Sequence, residues 1–342
     1  MESAAIHSAK HILFIVGVIL FAGSMSGIVA QKLKMPDVVV FLLIGMGLGP
    51  ELSGVFDVKA DSTINQLILI FGSSYILFDG GASLRLRVLK EVWVTILVIS
   101  TVGLLITTAI TGFAALHFLG IPLITALLLG STIASTDPAT LVPVFKQVRI
   151  KDRVAQTVMS ESAFNDAMGA IVTFTIMGVA LGTGGDFSLG TAIVSLFSNA
   201  LTGVLIGAVL GYLAAALIAH EKYNFLQEYA PLVTLMAVLG AYMSAENFQA
   251  SGFMAVFVFG IILGNKDVFG FAMEDREEEK LEDFILTTSL IMRMFIFILL
   301  GSQVNFALMG KYLFGGVALV LVFMFIARPV TVFCCALPDR RA

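Results

Sequence analysis

Ser-Thr-Asp-Pro at residues 135–138 and Ser-Glu-Ser-Ala-Phe-Asn-Asp at residues 160–166 decide the fold of this chain. Both motifs interrupt apolar stretches that are long enough to form helices. A charged side chain in the middle of a bilayer costs about 3 kcal/mol or more, so such residues are functional candidates by default. The two motifs therefore indicate a polar site inside a membrane.

The composition around these motifs is that of an all-α polytopic membrane protein. Hydrophobic residues make up 58% of the 342 residues and charged residues only 13%, with a mean hydropathy of +0.98. Apolar runs that can cross a hydrocarbon core of about 30 Å recur along the chain. We predict eleven helices with short connections and no appended soluble domain, near residues 12–30, 36–50, 64–82, 91–117, 121–146, 154–181, 188–219, 228–245, 251–265, 282–302 and 312–336.

The distribution of basic residues predicts the orientation of the chain in the membrane. Fifteen basic residues lie after odd-numbered predicted helices, and only Lys10, Lys59 and Lys311 lie on the opposite side. Loops rich in Lys and Arg stay in the cytoplasm. We therefore expect an inner (plasma) membrane protein with its N-terminus outside. Its expected partners are membrane lipid and small ions, without nucleic acid.

The spacing of glycines predicts an inverted repeat. Gly45 and Gly49 close the second predicted helix, and Gly260 and Gly264 close the ninth, at an offset of 215 residues. The two helices run in opposite directions under the predicted topology, and such pairs are typical of inverted-repeat transporters. Small residues four apart are also common at membrane helix contacts, which is the alternative explanation.

The repeat also predicts how the single transmembrane domain is divided. We expect a first repeat over about 1–181, a linker helix over about 188–219 and an incomplete second repeat over about 222–342. The 215-residue offset places the end of a complete second repeat near residue 396, beyond residue 342. We therefore expect two further C-terminal helices to belong to this fold, unless the repeat is degenerate.

The Asp137-Pro138 pair predicts a discontinuous fifth helix. Pro138 has no N–H group, so the carbonyl of Ala134 loses its helical partner, and Asp137 is pushed away from helical geometry. A break at membrane depth survives only where it is buried in protein or lines a wet cavity. Freed carbonyls beside an acid form a site for a monovalent cation. The alternative is a simple kink in which Asp137 caps the following half-helix.

The sixth helix presents its polar groups on two neighbouring faces. Glu161 and Asn165 are four residues apart on one face, and Ser162 and Asp166 share the next. A buried carboxylate needs a positive partner or a proton, and Arg293 and Arg328 are the arginines inside predicted helices. With Arg328 assigned to Glu161 and Asn165, Asp166 is the acid that we expect to exchange a proton for a cation.

Asp79 is a further candidate at the end of the third predicted helix, just before Gly80-Gly81. Its carboxylate would attract cations to an entry funnel. The alternative is a side chain that simply extends to the membrane interface.

Three of these motifs resemble those of a known family. Ser-Thr-Asp-Pro at 135–138, Glu-Ser-x-x-Asn-Asp at 161–166 and Arg328-Pro329 are similar to motifs of the cation–proton antiporters, in particular the NhaP-like sodium/proton branch. The resemblance covers essentially the whole chain. It implies a scaffold that forms a homodimer and a mobile core that carries the ion. Family members usually have two further helices, and they have Glu where this chain has Asp79, which is one methylene shorter.

The resemblance also implies roles for single residues. Asp166 would bind both the proton and the cation, and Glu161 would pair with Arg328 and Asn165 in a structural network. The resemblance to the Asn-Asp branch of the family implies that exchange is electroneutral. The monovalent-cation site implied by the resemblance consists of Asp166, Thr136, Ser162 and Asp137, the last through water.

These observations together predict a secondary antiporter that exchanges a monovalent cation, with sodium ranked first, for a proton by alternating access. Potassium/proton exchange on the same fold stays open, since no residue distinguishes the two ions. A passive channel is a further alternative. An intramembrane aspartyl protease is a remote one: Asp137 and Asp166 lie on adjacent helices, but the Gly-x-Gly-Asp context is missing. We expect neither enzymatic activity nor a cofactor.

Overall fold

A computed structural model of the chain describes residues 4–33, 35–55, 57–136, 152–182, 189–219 and 226–336. These residues form eleven α-helices. Two of the eleven, α4 and α11, are each interrupted by a π-helical turn. The helices are α1 (Ala4–Leu33), α2 (Asp37–Leu48), α3 (Thr63–Ala82), α4 (Leu86–Val98, π-turn Ile99–Gly103, Leu104–Leu119), α5 (Leu123–Ala134), α6 (Asp152–Ala180), α7 (Leu189–Ala219), α8 (Ala230–Asn247), α9 (Gly252–Gly264), α10 (Asp275–Ser302) and α11 (Phe306–Val322, π-turn Phe323–Ala327, Arg328–Ala336).

The eleven helices match the eleven predicted segments one for one, and the all-α prediction is confirmed. Six of them are long and apolar enough to cross a membrane, whereas α2, α5 and α9 are shorter apolar helices. The two largest differences at a helix start are in α1, which begins at Ala4 and not near residue 12, and in α10, which begins at Asp275 and not near residue 282. Its first turn contains Asp275, Glu277 and Glu278, and acidic side chains stabilise a helix N-terminus.

The chain divides into two compact units. The first contains Met1–Ile76 and Glu282–Lys311, and thus α1, α2, most of α3 and most of α10. Its core is an apolar cluster in which α2 contributes Phe41, and α10 contributes Phe295, Ile298 and Leu299. The close approach of α2 to α10 depends on glycine, because a Cβ atom at position 45 would lie under 3.0 Å from the carbonyl of Ile298.

The second unit contains Leu77–Leu281 and Tyr312–Ala342. Its helices pack through small residues, as is typical of membrane bundles. Gly203, Gly207 and Gly211 of α7 lie against α9, and Gly130 of α5 lies against α4. This packing places the end of α5 beside the middle of α6, where the polar motifs meet.

Candidate functional site

The first component of the site is the C-terminal end of α5. The helix ends at Ala134, and Ser135 has an extended backbone with φ −66° and ψ 149°. The last carbonyls of a helix have no partner within it, so such an end presents oxygen atoms to its surroundings. The helix thus ends three residues before Asp137, and its predicted continuation after the break lies outside the described residues. Asp137 and Pro138 themselves lie outside the described residues.

Hydroxyl groups join the end of α5 to α6. The Ser135 hydroxyl donates to the backbone carbonyl of Asn165 at 3.0 Å, and the Thr173 hydroxyl bonds that of Ser131 at 3.0 Å. A Cβ atom on Gly169 would collide with the Ser135 hydroxyl oxygen. Glycine at position 169 thus gives the broken end of α5 room to approach α6.

Glu161 is the buried centre of a charge network, with 7% of the residue exposed. Its Oε1 accepts hydrogen bonds from the Asn165 amide at 2.9 Å and from the Arg328 guanidinium at 3.4 Å. Its Oε2 accepts one from the Thr136 hydroxyl at 3.4 Å. A buried carboxylate is tolerated when a charge and hydrogen bonds compensate it. The structure thus brings together Glu161, Asn165 and Arg328, as the sequence predicted.

Thr136 belongs to the same network, which the sequence did not indicate. Its hydroxyl accepts hydrogen bonds from Asn165 at 2.9 Å and from Arg328 at 3.5 Å, and its backbone N–H donates to the Asn165 side-chain oxygen at 3.2 Å. Its carbonyl oxygen accepts a hydrogen bond from the Ser162 hydroxyl. The Thr136 hydroxyl is therefore engaged by the network, whereas its carbonyl faces Ser162.

The remaining predicted residues lie at three places. Asp166 is half-buried on α6, one helical turn after Ser162. Asp79 is buried, with 8% exposed, on the part of α3 that packs against α9. A freely extended side chain at an interface would be exposed, so the burial of Asp79 favours the functional explanation over the interfacial alternative. Arg293 lies on α10 in the first unit, and Arg328 is the arginine that contacts Glu161.

Two residues of this site were missed by the sequence analysis. Ser135 was considered only as a neighbour of the break, and Gly169 was not considered. The signal was available, because Gly169 follows Asn165 by four residues and so lies on the same face of α6. A small residue there indicates that another segment approaches the helix closely.

The comparisons with known proteins agree with this geometry. A family model described as sodium/hydrogen exchanger, transmembrane, matches residues 16–339. The chain belongs to the sodium/hydrogen exchanger family. Members of this family are transporters.

Two relatives illustrate the range of the family. Na(+)/H(+) antiporter 1 of Methanocaldococcus jannaschii is 32% identical over 326 residues, which are 93% of this chain and 74% of that protein. The K(+)/H(+) antiporter NhaP of Alkalimonas amylolytica is 29% identical over 335 residues, 95% of this chain and 55% of that protein.

A solved structure is similar over nearly the whole chain. The sodium proton antiporter MjNhaP1 from Methanocaldococcus jannaschii matches with a TM-score of 0.80 and 30% identity, and the match covers 98% of this chain and 80% of that one. The resemblance stated from the motifs alone is thereby confirmed at the level of the family.

Proposed function

We propose that this chain is a secondary antiporter that exchanges a monovalent cation, sodium in the first place, for a proton. The observation that carries the proposal is the contact between the broken end of α5 and α6. There the Thr136 carbonyl meets the Ser162 hydroxyl, and Asp166 follows one turn later. Unwound backbone carbonyls beside a carboxylate are the ligands with which transporters hold sodium ions and protons.

The different surroundings of two acids of α6 support this proposal. The charge of Glu161 is compensated by Arg328, Asn165 and Thr136, so we assign Glu161 to the structural network and not to the ion site. Asp166 lies on the neighbouring face with Ser162. A carboxylate at that place holds either a proton or a cation, and this competition is sufficient for exchange. Asp137, through water, and Asp79, near the entry path, complete the proposed set.

The proposed cation ligands can be stated atom by atom. The hydroxyl of Thr136 is engaged by Asn165 and Arg328, so its contribution is the carbonyl oxygen. Ser162 contributes its hydroxyl and Asp166 its carboxylate. All three are hard oxygen ligands, which suit an alkali-metal cation better than a soft metal ion.

We further infer a one-for-one, electroneutral exchange. The residue before Asp166 is the neutral Asn165, whose amide is used by Glu161 and Thr136. One titrating carboxylate trades one proton for one monovalent cation. An electroneutral exchanger develops no membrane potential during turnover, and a voltage-sensitive dye measures this directly.

Potassium/proton exchange is the second candidate, because the relative from Alkalimonas amylolytica carries that activity in its name. Sodium and potassium must therefore be compared in the same vesicles. A lower concentration for half-maximal exchange with sodium than with potassium supports the first candidate, and the reverse order supports the second.

The remaining parts of the proposal concern location and assembly. The charge distribution favours an inner (plasma) membrane location with the N-terminus outside. We infer a homodimer with a static scaffold and a core bundle, which holds α5 and α6 and moves between two states. Neither a nucleic acid nor a cofactor takes part, and the transported ions are the substrates.

Purified protein in vesicles tests the proposal through the proton flux that a cation gradient drives. Asp166→Asn removes the titrating group with little change in volume, and we expect it to abolish sodium-driven proton flux. Asp267→Asn is the control, because Asp267 is exposed and paired only at the surface with Arg87, where ion pairs contribute little. Sodium-driven flux that persists in Asp166→Asn would refute the assignment.

A further inference from the structure

The helices α4 and α11 each contain a π-helical turn. The first, Ile99–Gly103, precedes Leu104, and the second, Phe323–Ala327, precedes Arg328. A π-turn widens the helix by one residue and changes the direction in which the following side chains point. In α11 the wide turn also accommodates Pro329, which cannot donate a hydrogen bond to the carbonyl of Phe325.

A pair of threonine hydroxyls joins the two helices just after these turns. Thr107 and Thr331 share a hydrogen bond of 2.8 Å between their hydroxyl oxygens, and both residues are fully buried. The Thr331 hydroxyl also lies 3.5 Å from the carbonyl of Gly103. A Cβ atom at position 103 would lie 2.8 Å from the methyl group of Thr331, so glycine permits this approach.

The contact is reciprocal. The π-turn Ile99–Gly103 packs against Arg328–Ala336, and the π-turn Phe323–Ala327 packs against Leu104–Leu119. Thr107 follows the end of its π-turn by four residues, and so does Thr331. Each threonine therefore fixes the rotation of its own helix relative to the other.

This contact is connected to the charge network on both sides. Arg328 precedes Thr331 by three residues, which places it on a neighbouring part of the same helical turn. The π-turn of α4 also packs against α6, which carries Glu161, and Leu104 joins Ala134 and Val172 in one apolar cluster. The same turn of α4 thus supports both helices that contribute to the ion pair.

We propose that the hydrogen bond between Thr107 and Thr331 is a positioning element, which fixes the rotation of α11 and so aims Arg328 at Glu161. A helix that turns by one residue moves its side chains by about 100°. Such a rotation would carry the guanidinium away from the carboxylate, because their distance of 3.4 Å leaves little room for displacement. The transport readout of this inference rests on the proposed exchange activity, whereas its stability readout does not.

The transport experiment compares Thr331→Val with Thr331→Ser and Thr101→Val in vesicles. Valine keeps the shape of threonine but removes the hydroxyl, and serine restores the hydroxyl. Thr101 is the control, since it lies in the π-turn of α4 and its hydroxyl bonds the Leu97 carbonyl of its own helix. We expect Thr331→Val to reduce the exchange rate at the optimum of the wild-type protein at least about threefold and to displace its pH profile. Thr331→Ser and Thr101→Val should follow the wild-type profile.

The stability experiment uses a background without the ion pair, the double variant Glu161→Gln, Arg328→Gln. We expect Thr331→Val to lower the thermal midpoint more in the wild-type protein than in this neutral background. Only the wild-type protein has an ion pair between Arg328 and Glu161 that the loss of the threonine bond can weaken. Thr107→Val removes the other hydroxyl of the same bond and should behave like Thr331→Val. The experiment can therefore be carried out with either variant if the other does not fold.

The outcomes separate the two proposals. Equal losses of midpoint in both backgrounds, or a Thr331→Val profile that overlaps the wild-type profile, would overturn the positioning role and leave only a packing contact. Absence of cation-driven proton flux in the wild-type protein would refute the proposed function, while the stability comparison would still decide the positioning role.

Discussion

In the first compact unit α2 crosses α10, and in the second unit α9 crosses α3, each time with glycine backbones in contact. The residues in contact correspond at a constant spacing: those of α9 follow those of α2 by 215 positions, and those of α10 follow those of α3 by 220. In the first crossing Gly45 meets Ile298, Gly49 meets Ser302 and Gly301 meets Leu42, and in the second Gly260 meets Phe78, Gly264 meets Ala82 and Gly81 meets Phe257.

The two crossings differ in the side chains that they carry. Leu299 is 1% exposed and belongs to the apolar core of the first unit. The matching position in the second unit is Asp79, which is 8% exposed. The same backbone crossing therefore surrounds an apolar core in the first unit and carries a buried carboxylate in the second.

The crossings also differ in how their ends are closed. At the end of α9 the buried Asn265 side chain donates to the carbonyls of Leu84 and Ile261 at 2.6 and 2.8 Å, and accepts from the N–H of Leu86 at 2.8 Å. At the corresponding end of the first crossing an exposed bond of 3.2 Å joins Asn305 to Glu51. The turn after α3 is therefore closed by one buried side chain, whereas the turn after α10 is closed by the exposed Asn305 and by Gln303, which donates to Asn65 at 3.1 Å.

Exchanging the two distinctive residues has the largest expected effect. Leu299→Asp places an acid in an apolar core and should destabilise the protein by about 3 kcal/mol, seen as a lower thermal midpoint in detergent. Asp79→Leu should reduce cation-driven proton flux. A stable Leu299→Asp protein would show that position 299 does not lie in an apolar core.

The glycines of the first crossing should have the next largest effect. Gly45→Ala forces a methyl group against the carbonyl of Ile298 and should cost about 2 kcal/mol. Gly47→Ala is the control in the same helix, because a Cβ atom there meets nothing within 4 Å. Gly260→Ala should repeat the loss in the second unit. Equal midpoints for Gly45→Ala and Gly47→Ala would contradict the close backbone contact.

The smallest difference is expected at the ends of the crossings. Asn265→Ala leaves a buried N–H and two carbonyls without their side-chain partner, and should cost about 1–2 kcal/mol. Glu51→Ala removes the exposed bond to Asn305 and leaves the cap that Asn305 provides for α11 in place, so its thermal midpoint should stay close to that of the wild-type protein. Hydrogen exchange of the turn at residues 83–86 should rise in Asn265→Ala. An unchanged exchange rate there would argue against the tighter closure.

Much of this architecture followed from the sequence for physical reasons. Apolar runs separated by basic loops indicate membrane-spanning helices, so the eleven helices were predictable. Repeated glycines indicate close contacts between helix backbones, so the glycine pairs of α2 and α9 were predictable too. The partnership of Glu161 with Arg328 and Asn165 was also predictable, because a buried acid needs compensation.

Other features could not be read from the sequence because they depend on contacts between distant segments. The π-turn of α4 has no proline beside it to indicate it, and only Pro329 hints at the π-turn of α11. The bond between Thr107 and Thr331 joins residues 224 positions apart. The double use of Thr136, with its hydroxyl in the network and its carbonyl beside Ser162, required the end of α5 to be placed against α6. The extended conformation of Ser135 likewise precedes the proline that predicted the break.

The central claim is that Asp166 alternates between a proton and a cation. Adding sodium to the purified protein in weakly buffered detergent, with a pH-indicator dye, measures this competition without a membrane. The wild-type protein should release about one proton for each sodium ion bound, because a cation-binding carboxylate must give up its proton. The release should be lost in Asp166→Asn and retained in Asp267→Asn. Proton release of wild-type size from Asp166→Asn would contradict the account.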